Sequence, residues 1–428
     1  MSSSLPRVVI VGAGFAGLRA ARQLAGAPVQ VILVDQNNYH LFQPLLYQVA
    51  TAGVSATDIA YPVRAIFRRQ ANFSFRMATV TGVDFAARQV LTDRGPIPYD
   101  QLILGVGGET NTFGLQGVAR HAFPLKSLDD AIRLRNHVLR MFELSSQSED
   151  PAARAALRTF VVVGGGPTGV ECAGALSELI RLVLVKDFPG LDLSDVQVHL
   201  VERMDSLLPG FPPQLSAAAA ETLRRKNVTV DFGWQVQDYD GEALCLQDGR
   251  QLPARTLVWA AGVQAVSLLK QIGLPTSRQG RVPVLPTLQV PGYENVWVVG
   301  DAAYLEEAGQ PLPMMAPVAI QQGELAAKNI LCQLAGQPLQ EFQYKDPGSL
   351  ATIGRNAAVA RINRLKFSGF AAWLVWLAVH LFWLIGFRNR LLVMINWAWD
   401  YLFYERAVRL ITAQGTIESQ PKSSTPDA

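Results

Sequence analysis

Apolar residues in this chain fall into short continuous runs that stop at glycine or at an acid. The first run, RVVIV from Arg7, ends at GAGFAG, after which apolar positions recur every three to four residues through LRAARQLAG. Another, TFVVV from Thr159, ends at GGGPTG and is followed by the same recurrence through VECAGALSEL. Continuous runs of this length read as strands buried on both faces, and the recurrence reads as a helix covering them. After each helix comes a run closed by an acid: VQVILVD ends at Asp35 and VQVHLVE ends at Glu202. Further on, VLTDRG precedes QLILGVG, and CLQDG precedes TLVWAAG. Two copies of one unit therefore stand in tandem, the glycines offset by 152 residues and the later strands by 155. Such alternation predicts an α/β fold, two parallel sheets covered by helices. The second copy is longer before its acid, and its extra stretch DFPGLDLSD, from Asp187, predicts a surface loop. A further apolar run, YENVWVVGDAA from Tyr293, predicts one more buried strand, followed by an amphipathic helix around Gln321 to Leu334.

The C-terminal part follows a different pattern. From Phe367 to Phe387, 21 residues pass without Asp, Glu, Lys or Arg, a length that can span a bilayer. Ser368, Gly369 and His380 interrupt the run, RNR follows at 388–390, and a second apolar stretch begins at Leu391. Five of the eight Trp lie between 373 and 399, and Trp favours the membrane interface, where its ring is buried and its N–H stays wet. The pattern predicts two aromatic helices lying in one leaflet. A true span is the alternative, and a dimerising helix pair, giving a homodimer, is compatible with membrane docking. The polar tail 413–428 predicts disorder.

Composition sharpens this division. The chain is 49% hydrophobic and 17% charged, with 38 Lys and Arg against 35 Asp and Glu. A net charge of +3 argues against a nucleic-acid binder. The charge is unevenly placed: residues 347–417 hold eight bases and two acids, leaving 30 bases and 33 acids elsewhere. A mildly acidic body thus carries a basic, Trp-rich foot suited to anionic lipid headgroups. The three cysteines, Cys172, Cys245 and Cys332, are far apart and form no CxxC pair. They predict neither a metal site nor a disulfide framework, and they fit a reducing compartment. The segment before Val8 lacks the apolar region of a signal peptide.

A glycine loop between a strand and a helix brings backbone close to a pyrophosphate, which the helix N-terminus favours. The acid ending the next strand accepts hydrogen bonds from ribose hydroxyls. Gly12, Gly14, Gly17 and Asp35 form one such set, and Gly164, Gly166, Gly169 and Glu202 form the other. Two sets imply two dinucleotides, with electron transfer between them. Glu202 would repel the 2′-phosphate of NADP and favours NADH, while the adjacent Arg203 keeps NADPH open. Asp301, in VVGDAA, is placed either to bind a flavin's ribityl chain or to cap a helix.

In residues and order, GAGFAG, GGGPTG and VWVVGDAA resemble the two-dinucleotide-binding-domain flavoproteins, with a glutathione-reductase-like FAD/NAD(P) fold. Within these, HLFQPLLYQVATAG from His40, LVWAAGVQA from Leu257 and HLFWLIGFRNRL from His380 resemble the type II NADH:quinone oxidoreductases. The resemblance implies non-covalent FAD in copy one, with Asp301 near its ribityl and phosphates, and NADH in copy two. It divides the chain into 1–118 and 284–346 for FAD, 119–283 for NADH, and 347–412 as a membrane-anchoring helical region. It implies a membrane quinone (ubiquinone, menaquinone or plastoquinone) as acceptor, no proton pumping, and a peripheral place on the cytoplasmic face of the membrane. Glu171 matches an acid near nicotinamide and flavin, although an acid in a first helical turn also suits the dipole. Gln321 and Gln322 match a motif on the quinone side of the flavin, or form the polar face of an ordinary helix. Many members carry Gln where this chain has Pro317, and the first-copy strand ends in GVGG (105–108) in place of ATG. The alternatives are a reductase of a soluble carrier such as ferredoxin, which has no use for the Trp-rich foot, and a membrane-docked NADH-sensing flavoprotein.

Overall fold

In the computed structural model, residues 5–190, 192–403, 406 and 408–412 are described, so the tail expected to be disordered lies outside the described residues. The repeat is present as two five-stranded sheets. In the first, Arg7–Val11 is central, flanked by Gln30–Asp35 and then Phe73–Met77 on one side, and by Gln101–Leu104 and then Val296–Val298 on the other. The second is built in the same way around Thr159–Val163, with Gln197–Glu202 and Thr229–Phe232 on one side and Thr256–Trp259 and Phe123–Pro124 on the other. All pairings in both are parallel. The central strands are Val-rich and buried on both faces, the arrangement their unbroken apolar runs require. A three-stranded antiparallel meander precedes the last strand of each unit.

The two units interleave. Strand Val296–Val298 and helix Ala316–Leu334 come after the second unit and return to complete the first. Helix Ala316–Leu334 crosses helix Phe15–Gln23 at very short range: a Cβ on Gly323 would meet the Ala16 carbonyl oxygen at 2.2 Å. A two-stranded antiparallel ribbon, Gly108–Thr110 against Val263–Ala265, joins the units.

Two expectations change in detail. The extra length of the second copy is not only a loop. It begins as a π-helical turn, Leu179–Leu184, extending the nucleotide helix, and residues around 187–195 carry two further short helical turns. The C-terminal region also does not start as a helix. Its first part is an antiparallel sheet of Ser349–Thr352, Ala358–Ile362 and Leu365–Gly369. Only then come helices Phe370–Trp383 and Phe387–Phe403. The charge-free run from Phe367 is therefore divided between a strand end and a 14-residue helix. At 1.5 Å per residue that helix is about 21 Å long, short of the roughly 30 Å of a hydrocarbon core. Among the described residues no helix is long and apolar enough to cross a membrane.

These helices are anchored to the excursion between the second and third strands of the first sheet. Asn389 is buried, and its amide nitrogen donates to the carbonyls of Thr57, Asp58 and Ala60. Asn396 donates to Asp58 Oδ2 at 3.0 Å and the Trp397 indole to Gln48 Oε1 at 2.8 Å. Trp376, fully buried, stacks on His380 and packs against Trp397. Two motifs far apart in sequence, HLFQPLLYQVATAG and HLFWLIGFRNRL, thus pack together. Replacing Asn389 with Ala leaves these buried carbonyls without their donor and should cost about 1–3 kcal/mol. Thermal melting should show the loss, and protease should cut the last two helices faster. An unchanged melt with unchanged cleavage would mean the helices are held by apolar packing alone.

Candidate functional site

The two glycine triads fold alike because their steric demands are alike. Gly12 has φ +102° and Gly164 φ +113°, both in the left-handed region. A Cβ on Gly12 would lie 2.3 Å from the Gly105 carbonyl oxygen, and one on Gly164 would lie 2.7 Å from Ala260 backbone. The third glycine of each triad presses on the first, with hypothetical Cβ atoms of Gly17 and Gly169 at 1.9 and 1.8 Å from the carbonyl oxygens of Gly12 and Gly164. Gly14 and Gly166 differ: nothing lies within 4 Å of a Cβ built on either. These middle glycines begin the two helices, and no side chain caps either N-terminus. The first and third glycines therefore serve internal packing, while the middle ones leave a backbone surface open to a ligand.

Asp35 and Glu202 brace these loops. Asp35 accepts from the backbone N–H of Ala13 and Asn37, both at 2.7 Å. Glu202 accepts from Gly165 N at 2.5 Å and Met204 N at 2.8 Å. Burial raises the Asp35 pKa, against the pull of its two donors. Each carboxylate keeps further lone-pair directions for a ribose.

Asp301 does not cap the turn Gly300–Ala302. Its carboxylate takes no hydrogen bond from any described residue, and burial raises its pKa while Lys126 and Arg281 pull it back. The turn is set by Gln322, whose fully buried Oε1 accepts from Gly300 N at 2.7 Å, leaving its Nε2 without a partner. Gln321 is engaged elsewhere, clasping the Lys345 backbone by donating to its carbonyl and accepting from its N–H. Pro317 lies in the first turn of its helix, where a missing N–H costs nothing. Gly108, the last of GVGG, is needed where the joining ribbon passes: a Cβ there would meet Val263 at 2.8 Å and Asp301 Oδ2 at 3.2 Å.

Glu171 lies buried in the second nucleotide helix. It lines a cleft between the units together with Gln43, Tyr47, Thr110, Lys126 and Trp259. Its Oε1 accepts from Thr352 N at 3.3 Å, so the C-terminal sheet helps to enclose it. Burial pushes its pKa up to about 8, opposed by the Thr352 N–H and the nearby Trp376 indole. Burial thus favours the protonated carboxyl of Glu171, which is poised to give or take a proton near neutral pH. Cys172 beside it is buried and its thiol is pushed up to about 12, an inert group. Burial lowers His40 and His380 to about 4, so both are neutral aromatic packing groups. No cluster of His, Cys, Asp or Glu among the described residues can hold a metal ion. Sequence reading singled out the glycines and acids, and the motif that contains Gln43, but not Lys126 or Thr352, which carry no local motif and reach the site only through the fold.

The family pattern described as pyridine nucleotide-disulphide oxidoreductase matches residues 6–323. That of the NDH2 C-terminal domain matches residues 347–405. The type II NADH:quinone oxidoreductase Ndh of Mycobacterium tuberculosis is 40% identical over 423 residues, covering 95% of this chain and 90% of that one. The type II NADH:quinone oxidoreductase of Staphylococcus saprophyticus is 32% identical, covering 86% and 92%. Among solved structures, NDH2 from Plasmodium falciparum in complex with NADH superimposes with a TM-score of 0.87 at 19% identity, covering 95% of this chain and all of that one.

Glu171 also makes stability depend on pH. A carboxyl whose folded pKa is raised stabilises the fold below its unfolded value, and that contribution is lost as pH rises through the folded value. Between about pH 4.5 and 8 the wild-type melting temperature should fall relative to that of Glu171→Gln. Parallel melting curves across this range would mean that Glu171 is ionised in the fold.

Proposed function

The chain belongs to the type II NADH:quinone oxidoreductases, and from that membership we propose that it oxidises NADH through a bound FAD and reduces a membrane quinone without pumping protons. The observation that carries this reading is the pair of equivalent open glycine loops, at Gly14 and Gly166, together with a cleft between the units that is lined by Thr168 and the buried Glu171. We assign FAD to the first loop. The residues fit it: Gly14 leaves space for a pyrophosphate, Asp35 for a ribose, and Asp301 offers a half-buried carboxylate, with no donor among the described residues, to a polyhydroxyl chain. Elements returning from late in the chain close over this loop, as suits a resident cofactor. The second loop, with Gly164, Gly166, Gly169 and Glu202, is assigned to NADH. When bound, the flavin supplies the two-electron chemistry that side chains lack.

The chain's own residues do the rest. Glu202 fixes its loop and disfavours a 2′-phosphate. Gln322 sets the Gly300 turn and so the position of Asp301. Glu171 holds a proton beside the cleft for quinone reduction, which consumes two. Gln321 is assigned to the Lys345 clasp, and the quinone-side role that the resemblance implies falls to Gln322. The domain limits stand as proposed, with residues 347–412 both docking to lipid and enclosing Glu171.

For membrane docking the support is a one-sided apolar stripe. Phe387, Leu391, Ile395, Trp399 and Leu402 recur every three to four residues and are all exposed, Phe387 at 82% and Leu402 at 67%. Phe370, Leu374 and Phe382 continue it on the preceding helix, and Arg364, Lys366 and Arg388 lie exposed beside it. A patch of this extent marks an interaction surface. We place it on the cytoplasmic leaflet, the side that supplies NADH and keeps the three free thiols reduced.

Two experiments follow. Gly14→Val should abolish bound flavin, while Glu202→Ala should raise the KM for NADH about tenfold or more with flavin retained. Flavin loss in the Glu202 variant would reverse the assignment of the loops. The double variant Phe387→Glu, Leu402→Glu should lose most of its co-sedimentation with anionic vesicles while keeping flavin. Full vesicle binding by that variant would refute the docking face, and a lipid-free dimer that the variant splits would assign the face to a second copy.

A further inference from the structure

The cleft holds a lysine whose ammonium has no hydrogen-bond or ion-pair partner among the described residues. Lys126 precedes helix Leu128–Gln147, and its backbone is held from both sides. Gln43 Nε2 donates to its carbonyl at 2.8 Å, and its N–H donates to Asp130 Oδ2 at 3.1 Å. Asp130 belongs to a capping box with Ser127, which fixes the start of this 20-residue helix. The base of the side chain is therefore rigidly placed. Its ammonium nonetheless makes no hydrogen bond and no ion pair with any described residue, although the residue lines the cleft. Burial lowers its pKa, and among charged neighbours only Asp301 is close enough to raise it. A lysine at the start of a helix also stands at the unfavourable end of the dipole. A half-buried cation in a cleft, with only the nearby charge of Asp301 to offset it, is suited to a ligand that brings further negative charge.

The surroundings identify that ligand. Lys126 shares its cleft with Glu171 and Trp259 from the second unit and Thr110 from the joining ribbon, and it senses Asp301 from the first unit. It therefore stands between the two units, in a cleft that Thr168 of the second glycine loop also lines. Resting on the flavin assignment above, we propose that Lys126 contacts the flavin ring and stabilises the negative charge that the ring gains on reduction. Uptake of two electrons and one proton leaves one extra negative charge on the ring, and a fixed ammonium beside it favours the reduced form. The same cation favours the adduct of sulfite with the oxidised ring, in which the sulfite electron pair forms the new S–N bond and the ring again becomes an anion.

The test uses purified, flavin-loaded protein and three variants, Lys126→Met, Lys126→Gln and Lys126→Arg. Sulfite dissociation constants and flavin midpoint potentials are read from the visible flavin spectrum. Loss of the charge should weaken sulfite binding about tenfold or more, and should lower the potential by about 30 mV for each tenfold change in the reduction equilibrium. Lys126→Arg should remain within about threefold of wild type. Flavin lost from both uncharged variants but kept by Lys126→Arg also supports the contact, because the charge is what separates them. Uncharged variants that keep flavin with wild-type potential and sulfite affinity overturn it, as does loss of flavin from all three. A wild-type protein that binds no flavin would instead refute the underlying functional reading.

Discussion

A contact that tolerates no side chain sets the geometry on which the rest of the molecule depends. Where Gly17 meets the Gly12 carbonyl, and Gly169 meets the Gly164 carbonyl, the first helix of each unit lies directly on its strand. That approach fixes the helix N-terminus at the end of the strand and leaves Gly14 and Gly166 facing open space. The acids then lock each loop by accepting backbone N–H groups, so each triad is preorganised before anything binds. Repeating the device gives two sites, and the ribbon between Gly108–Thr110 and Val263–Ala265 joins the units that carry them.

The C-terminal region belongs to this arrangement through its own packing. Its sheet contributes Ala351, Ile353 and Val359 to the same buried cluster as the nucleotide helix carrying Glu171. Thr352 bonds Glu171 directly, and Trp376 lies behind it. The helices that carry the exposed apolar stripe are therefore connected, through Trp376, Trp397 and His380, with Glu171, whose pKa burial raises. Burial raises the Glu171 pKa, and the two groups that the foot places against it, the Thr352 N–H and the Trp376 indole, oppose that rise.

The parts of this plan that sequence reveals are those written in local patterns. Unbroken Val runs, glycine spacing and strand-end acids fall within Arg7–Asp35 and Thr159–Glu202, and the central strands of both sheets follow from them. The apolar foot is visible for the same reason. What escapes is decided by contacts across long separations. The sheet at Ser349–Thr352, Ala358–Ile362 and Leu365–Gly369 is hidden because Phe367–Gly369 merges with the apolar helix that follows. Gln321 and Gln322 are neighbours with identical side chains, yet one clasps Lys345 and the other sets the turn at Gly300. Lys126 looks like any surface lysine before a helix until the fold places Glu171 and Trp259 around the same cleft.

The central claim is that electrons pass from NADH, through a flavin in the first unit, to a quinone. Rapid mixing of the purified protein with NADH, followed by a short-chain ubiquinone or menaquinone analogue, tests it most directly. The visible flavin absorbance should bleach with NADH and return with quinone, both within the time of one turnover. Flavin that NADH does not bleach, or that quinone restores far more slowly than turnover, would contradict it.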